Sequence, residues 1–363
     1  NIIMIIMSMF FNREEEIEEL TKIANSKRAE LVIIYGRRRV GKSKLLTEFS
    51  KKVNALYLLA DLSKNILDVF SKQIREEFVR FKDWDDFFEY ILKNRFKIII
   101  IDEFQYLCEI NKAWPTIFQR WWEKIKETNK KIILCGSLIS TIYKISKSYG
   151  SALYGRKTAE MCIEPLKFKD IRGFFPTYSL EELIKTYSVL GGIPRYLEEF
   201  DASKTVEENI REKIFNKVSF LYNEPLNLLF EEFRDPSSYI TILLSLTQGY
   251  TRFNEISSFS NIETHKLPKY LTILERVKLI SKEIPITERK IRTKNSRYKI
   301  LDNFYRFWFG FVFRERARIE QGLEEEAFQS AMKEFNTYVG KVFEDVCKEF
   351  LIQTKIFPFT KIG

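Results

Sequence analysis

One eight-residue stretch constrains this chain more than any other. Gly36-Arg37-Arg38-Arg39-Val40-Gly41-Lys42-Ser43 fits the pattern G-x-x-x-x-G-K-[ST]. A short apolar, β-rich run (residues 31–35) precedes it, and a helical pattern over 43–49 follows. Strand, glycine loop and helix is the context in which this pattern wraps phosphates. The glycines let backbone N–H groups close around phosphate oxygens, and the helix turns its positive end toward them. Lys42 is expected to neutralise the β- and γ-phosphates, and the Ser43 hydroxyl to ligate Mg2+. The loop through Ser43, with Lys44 beside it, is therefore the expected cradle for ATP.

Three further apolar runs, at 55–60, 97–101 and 131–135, read as strands buried on both faces, because they are continuous rather than alternating. Helical patterns at 65–80, 84–93 and 113–127 separate them. The alternation predicts an α/β fold, a parallel sheet with helices on both faces, over about 25–165. The run at 97–101 ends in Asp102-Glu103. Asp102 is expected to hold Mg2+ through water, and Glu103 to orient or deprotonate the attacking water, or else to cap the next helix. One strand later, Ser137 is placed to touch the γ-phosphate or the water, and equally to cap a helix over 138–147. Arg156 is a candidate phosphate contact because arginine stays charged and binds phosphate oxygens in pairs. A surface loop arginine is the alternative.

Beyond Pro165 the strands largely stop. Residues 167–233 read as short helices. Residues 239–246, 252–259 and 264–279 read as three more, followed by two β-like runs, 279–284 and 298–301, around a basic stretch. Three helices and a basic hairpin are the order of a winged helix. Residues 236–300 hold 12 Lys or Arg against 5 Asp or Glu, so most of the chain's +10 net charge sits there. That concentration favours duplex DNA as a partner, with Lys266 and Lys269 on the third helix and Arg289, Lys290, Arg292, Lys294 and Arg297 along the wing. A packing module with a solvated basic hairpin is the alternative. His265 reads as an exposed polar residue with no metal cluster around it. Phe304, Phe307, Trp308, Phe309, Phe311 and Phe313 read as core or, alternatively, as a protein-binding face. A helix is expected over 338–351. Cys108, Cys135, Cys162 and Cys347 have no metal spacing and read as reduced thiols of a cytoplasmic protein. The apolar start, 1–11, is shorter than the ~20 residues of a membrane helix, so no membrane partner is expected.

These motifs resemble the archaeal ATPase family of P-loop proteins, within the wider AAA+ and STAND group. The likeness rests on FNREEE at 11–16, YGRRRVGKS at 35–43, IDEFQYL at 101–107, AWPTIFQRWW at 113–122, LCGSLIS at 134–140, LYGR at 153–156 and LGGIPRYL at 190–197. It implies that Arg13 and Glu14 lie near the adenine. It also implies that Gly192-Ile193-Pro194 lets a helical lid reach the nucleotide, with a winged helix after the lid. The resemblance often continues into a C-terminal domain with a nuclease-like fold, of which residues 338–347 match only the opening helix, so that part reads as truncated. The expected division is an ATPase core over 10–165, a helical lid over 166–235, a winged helix over 236–301 and a C-terminal helical segment over 302–363.

The resulting expectation is an Mg-dependent ATPase whose nucleotide state is coupled to a winged helix that binds DNA. A nucleotide-gated switch or DNA-binding regulator with negligible turnover, and an ATPase whose winged helix binds a protein partner, are the competing readings.

Overall fold

Five parallel strands organise the N-terminal half: β1 (Glu30–Tyr35), β2 (Leu56–Leu59), β3 (Ile98–Asp102), β4 (Lys131–Gly136) and β5 (Ala159–Cys162). The computed structural model describes residues 12–74, 79–146, 153, 155–284 and 295–354. The chain divides into two units, Asn1–Glu164 and Pro165–Gly363.

In the first unit the strand order is β2-β3-β4-β1-β5. β1, β3 and β4 are buried along nearly their whole length, as their unbroken isoleucine, leucine and valine runs require. The connecting helices are α1 (Glu14–Ala24), α2 (Lys42–Val53), α3 (Ile66–Gln73), α4 (Trp84–Lys93), α5 (Gln105–Ile110), α6 (Trp114–Ile125) and α7 (Ile139–Ser146). Asp83 caps α4 by accepting from Asp86 N at 2.9 Å, which satisfies a donor the helix leaves open. Against one face of the sheet lies an aromatic cluster of Phe70, Phe87, Phe88, Phe104, Trp114 and Phe118, all buried. Each such side chain contributes about 1.5–3 kcal/mol on burial.

Three local outcomes differ from the sequence pattern. Helix α3 stops at Gln73 rather than continuing to 80, and Ile74 is extended. The Gln73 amide instead bonds both Leu59 N (2.8 Å) and Leu59 O (2.9 Å), filling the exposed edge of β2. The short helix α5 and the half-exposed strand β5 carry too little apolar pattern to be seen in advance.

The second unit begins with a 3-10 turn at Phe168–Gly173. It continues through α8 (Leu180–Leu190), α9 (Pro194–Leu197), α10 (Val206–Lys213) and α11 (Phe220–Glu232). Then come α12 (Ser237–Thr247), α13 (Phe253–Ser260), α14 (Leu267–Arg276) and an antiparallel pair, β6 (Ile280–Glu283) and β7 (Arg297–Ile300). Tyr298 N donates to Thr251 O at 2.8 Å, and Arg252 pairs with Arg297, so the segment before α13 lies along the hairpin. Arg289, Lys290, Arg292 and Lys294 fall outside the described residues.

The aromatic stretch after the hairpin forms α15 (Asn303–Phe307) and a π turn at Trp308–Val312. Phe304, Phe307, Trp308, Phe309 and Phe311 are buried, and Trp308 Nε1 donates to Tyr222 O at 2.7 Å. These rings are core. Helices α16 (Arg316–Glu320) and α17 (Glu324–Thr354) follow. The helix expected at 338–351 is the C-terminal part of α17, which starts on three glutamates suited to the positive end of a helix. No helix among the described residues is long and apolar enough to cross a membrane.

Candidate nucleotide site

The site forms where β1, β3 and β4 end side by side. The register pairs Ile34 with Cys135 and Tyr35 with Gly136 on one side of β4, and Ile101 with Leu134 on the other. The residues just past each strand therefore emerge together at the carboxyl edge of the sheet, where ligands bind in open α/β folds.

Past β1 the chain turns into the glycine loop. A Cβ on Gly36 would collide with the carbonyl of Ile163, so only glycine lets the loop leave beside β5. Arg39 (φ 67°) and Gly41 (φ 93°) are left-handed, a region glycine enters without penalty and arginine does not. Lys42 starts α2 and is 5% exposed. Its ammonium donates to Gly36 O (2.9 Å) and Arg37 O (2.8 Å). Burial lowers its pKa, while Cys135, Glu103 and Asp102 oppose that shift. Ser43 and Lys44 are exposed on the first turn of α2. Arg37 and Arg38 are half-buried, and Arg38 reaches the Tyr106 hydroxyl at 3.4 Å. Val40 is buried.

Arg13, at the entrance to α1, lies against this loop. Its guanidinium donates to Val40 O (3.0 Å), to Glu164 O (2.9 Å) and to Glu16 (2.8 Å). It ties the glycine loop to the segment that follows β5.

At the end of β3, Asp102 is fully buried. Its Oδ2 accepts from the Tyr57 hydroxyl at 2.6 Å, and its Oδ1 from Glu103 N at 2.9 Å. Burial and the neighbouring carboxylate raise the Tyr57 pKa, so the phenol stays protonated and keeps donating. Burial likewise holds the Cys135 thiol well above its ordinary range. Glu103 has φ 54°, a left-handed conformation that is uncommon for a long side chain. Its Oε2 accepts from Ser137 Oγ at 2.7 Å and from Gln105 Nε2.

Lys42, Asp102, Glu103 and Ser137 thus come together. Arg156 is held elsewhere in the first unit, its Nε 3.5 Å from Glu123 on α6. Pro194 belongs to the second unit, as the first residue of α9. Gly192 bonds Leu166 N through its carbonyl at 2.7 Å. Tyr57 and Gln105 were not foreseen: one is a polar tip in an apolar strand, the other lies in a short helix without periodicity.

Residues 10–200, more than half of the chain, match the family described as an ATPase domain predominantly from Archaea. The chain belongs to this family. Within this archaeal ATPase family, an uncharacterized protein of Methanocaldococcus jannaschii is 36% identical over 98% of this chain and 81% of its own length. An uncharacterized ATP-binding protein of Pyrococcus abyssi is 25% identical over 52% of this chain and 68% of its own. Among solved structures, the Aeropyrum pernix ORC2 protein, in ADPNP–ADP complexes, matches with TM-score 0.51 at 12% identity. It covers 88% of this chain and 95% of that one, a likeness of fold. Residues 308–363 match a second family, archaeal and bacterial proteins of unknown function. The archaeal ATPase carries a P-loop of the nucleotide-binding kind, and its glycine loop, Arg13 clasp and Asp102–Glu103 pair all fall inside the matched region.

Proposed function

We propose that this chain binds ATP with Mg2+ and hydrolyses it. The observation that carries this reading is the meeting of Lys42, Asp102, Glu103 and Ser137 at one sheet edge, beside a glycine loop whose lysine is buried. Mg2+ takes oxygen ligands and usually keeps several waters, with one or two protein groups and the phosphates completing its shell. The Ser43 hydroxyl and the Asp102 carboxylate fit that requirement, and the ion would neutralise charge on the β- and γ-phosphates. Lys42 binds the same phosphates. Glu103 orients the attacking water and takes its proton, while Ser137 fixes the carboxylate. Arg156 lies against Glu123, and its role as a phosphate contact, to its own nucleotide or a neighbour's, rests on its permanent charge.

The second unit supports a nucleic-acid partner for the same ATPase. Its α12–α14 and β6–β7 follow the order of a winged helix. Arg252 and Arg297 face each other across the strand pairing, both exposed, with no ion pair among the described residues. Like charges placed opposite each other are unfavourable, and a DNA phosphate between them would remove that cost. Lys266 and Lys269 stand exposed at the start of α14, the helix that would enter the major groove. Pro194 would serve to bring the helical lid to the nucleotide. In this reading 10–165, 166–235 and 236–301 act as core, lid and DNA-facing module, and 302–363 as the helical support.

The test is Mg-ATP turnover for the wild type and Glu103→Gln, with and without duplex DNA at low salt. Turnover that DNA stimulates and the variant loses is the expected result. Turnover indifferent to DNA would move the second unit toward a protein partner. Tight nucleotide binding without turnover in either form would overturn hydrolysis and leave a nucleotide-gated switch.

A further inference from the structure

Glu103 is held by one oxygen only. Ser137 Oγ and Gln105 Nε2 both donate to Oε2, whereas Oε1 has no hydrogen-bond partner among the described residues. The carboxylate is half-buried, so Oε1 is the oxygen left for a water.

What fixes this orientation is Gln105. It is fully buried, and its Nε2 also lies 3.5 Å from Ser137 Oγ. Its own Oε1 is buried without a hydrogen-bond partner and is packed against Gly136, where a Cβ would collide with it. Leaving a buried carbonyl unsatisfied is unfavourable, and the arrangement persists because the amide's other end faces a carboxylate. A flipped amide would set its oxygen against Glu103, two acceptors in contact. The turn that carries both residues is pinned to β4 by Phe104 N donating to Cys135 O at 2.9 Å. The amide is therefore locked in place by the same strand that supplies Ser137.

We propose that Gln105 is a positioning residue for hydrolysis: its amide N–H, with Ser137 Oγ, anchors Glu103 through Oε2 and so presents Oε1 to the attacking water. This rests on the hydrolytic reading above. A side chain that only filled space could be replaced by methionine, which has nearly the same length and no donor. A glutamate at 105 would instead set a second carboxylate against Oε2, and two carboxylates sharing one contact do not both ionise.

The experiment compares wild type, Gln105→Met, Gln105→Glu, Gly136→Ala and Glu103→Gln by steady-state Mg-ATP hydrolysis across pH, with nucleotide affinity and melting temperature measured on each full chain. Gln105→Met should lower kcat about 10- to 100-fold, a part of the roughly 10²–10⁴-fold that a positioned general base contributes, with KM and nucleotide affinity within about twofold of wild type. Gln105→Glu should move the acid limb of the pH–rate profile upward by about one unit or more. Gly136→Ala, whose Cβ would displace the Gln105 carbonyl and press on the Ile142 side chain, should reproduce the kcat loss even if Gln105→Met folds poorly. Wild-type kcat and pH profile in the Gln105 variants, with Glu103→Gln inactive, would overturn the proposal and leave hydrolysis standing. Loss of binding and melting temperature in step with kcat would overturn it in favour of a structural role. Absence of turnover in the wild type, or full turnover in Glu103→Gln, would remove the hydrolytic reading and this inference with it.

Discussion

Replacing Tyr57 by Phe tests how the buried acid of the site is held. The change removes one oxygen and little volume, so packing stays nearly intact. What is lost is the 2.6 Å bond to Asp102 Oδ2. Asp102 is 0% exposed, so water does not replace the missing donor. Hydrogen bonds to charged groups are worth about 1.5–3 kcal/mol, and the expected destabilisation is about 2 kcal/mol. For a unit of this size, each kcal/mol shifts the midpoint by about 2–4 °C, so the first unit should melt about 4–8 °C lower. Trp84, Trp114, Trp121 and Trp122 lie in that unit, out of five tryptophans in the chain, so intrinsic fluorescence during urea or thermal unfolding reports mainly on it. The sign with pH follows from Tyr57, whose folded-state pKa is raised above 10.0 by burial, then by Asp102. A raised pKa means stability present below the unfolded value and lost as pH rises past it. The gap between wild type and Tyr57→Phe should hold from neutral pH to about 10 and narrow above it. A difference under about 0.5 kcal/mol at neutral pH, the range of an inconsequential surface change, would show that Asp102 is satisfied without Tyr57.

Three further outcomes follow from the same geometry. Arg13→Ala removes donors to Val40 O and Glu164 O and should weaken ATP binding about tenfold, equal to ~1.4 kcal/mol, in titration with a fluorescent nucleotide; unchanged affinity would show that the glycine loop holds its shape alone. Gly192→Ala drives a Cβ into the backbone of Leu166 and should cost more than ~3 kcal/mol, seen as loss of the second unit's protection from proteolysis; a variant as resistant as wild type would refute the close approach. Glu349 has a folded-state pKa raised above 4.5, first by burial, although Phe168 N and Gln353 donate to it. Its contribution to stability is therefore full below that value and falls as pH rises through the folded pKa. Glu349→Gln should be at its most favourable relative to wild type near pH 7 and lose that advantage below about pH 4. Urea titrations that show the opposite trend would count against the assignment.

Much of this was legible because strong patterns coincide with strong physics. Unbroken apolar runs such as Ile98–Ile101 had to be buried strands, and a glycine loop between a strand and a helix had one stereochemical use. The acids after Ile101 could be placed because a strand end fixes where the next residue emerges. Tyr57 was hidden because strand neighbours are set by topology: β2 lies beside β3, a fact no local pattern carries. Gln105 was hidden for a related reason, since its partners Glu103, Ser137 and Gly136 come from two strand ends. Arg13 was placed near the adenine by resemblance alone, and its bond to Val40 O needed coordinates. The end of α3 at Gln73 was missed because a side-chain bond to the edge of β2 competes with helix propagation, and propensity does not weigh such bonds.

The left-handed backbone at Glu103 sets the interests of the fold against those of the chemistry. Asparagine and glycine enter that conformation more readily than glutamate, so the backbone would be more relaxed with a residue unable to act as a base. Glu103→Asn should relax the backbone but leave the buried Ser137 hydroxyl and Gln105 amide without their shared acceptor, so the strain stored there is offset by the hydrogen bonds that the same side chain completes. On the proposed hydrolytic reading, any substitution at 103 that raised thermal stability would do so at the expense of turnover, and variants gathered for stability alone would drift toward a chain that binds nucleotide without hydrolysing it.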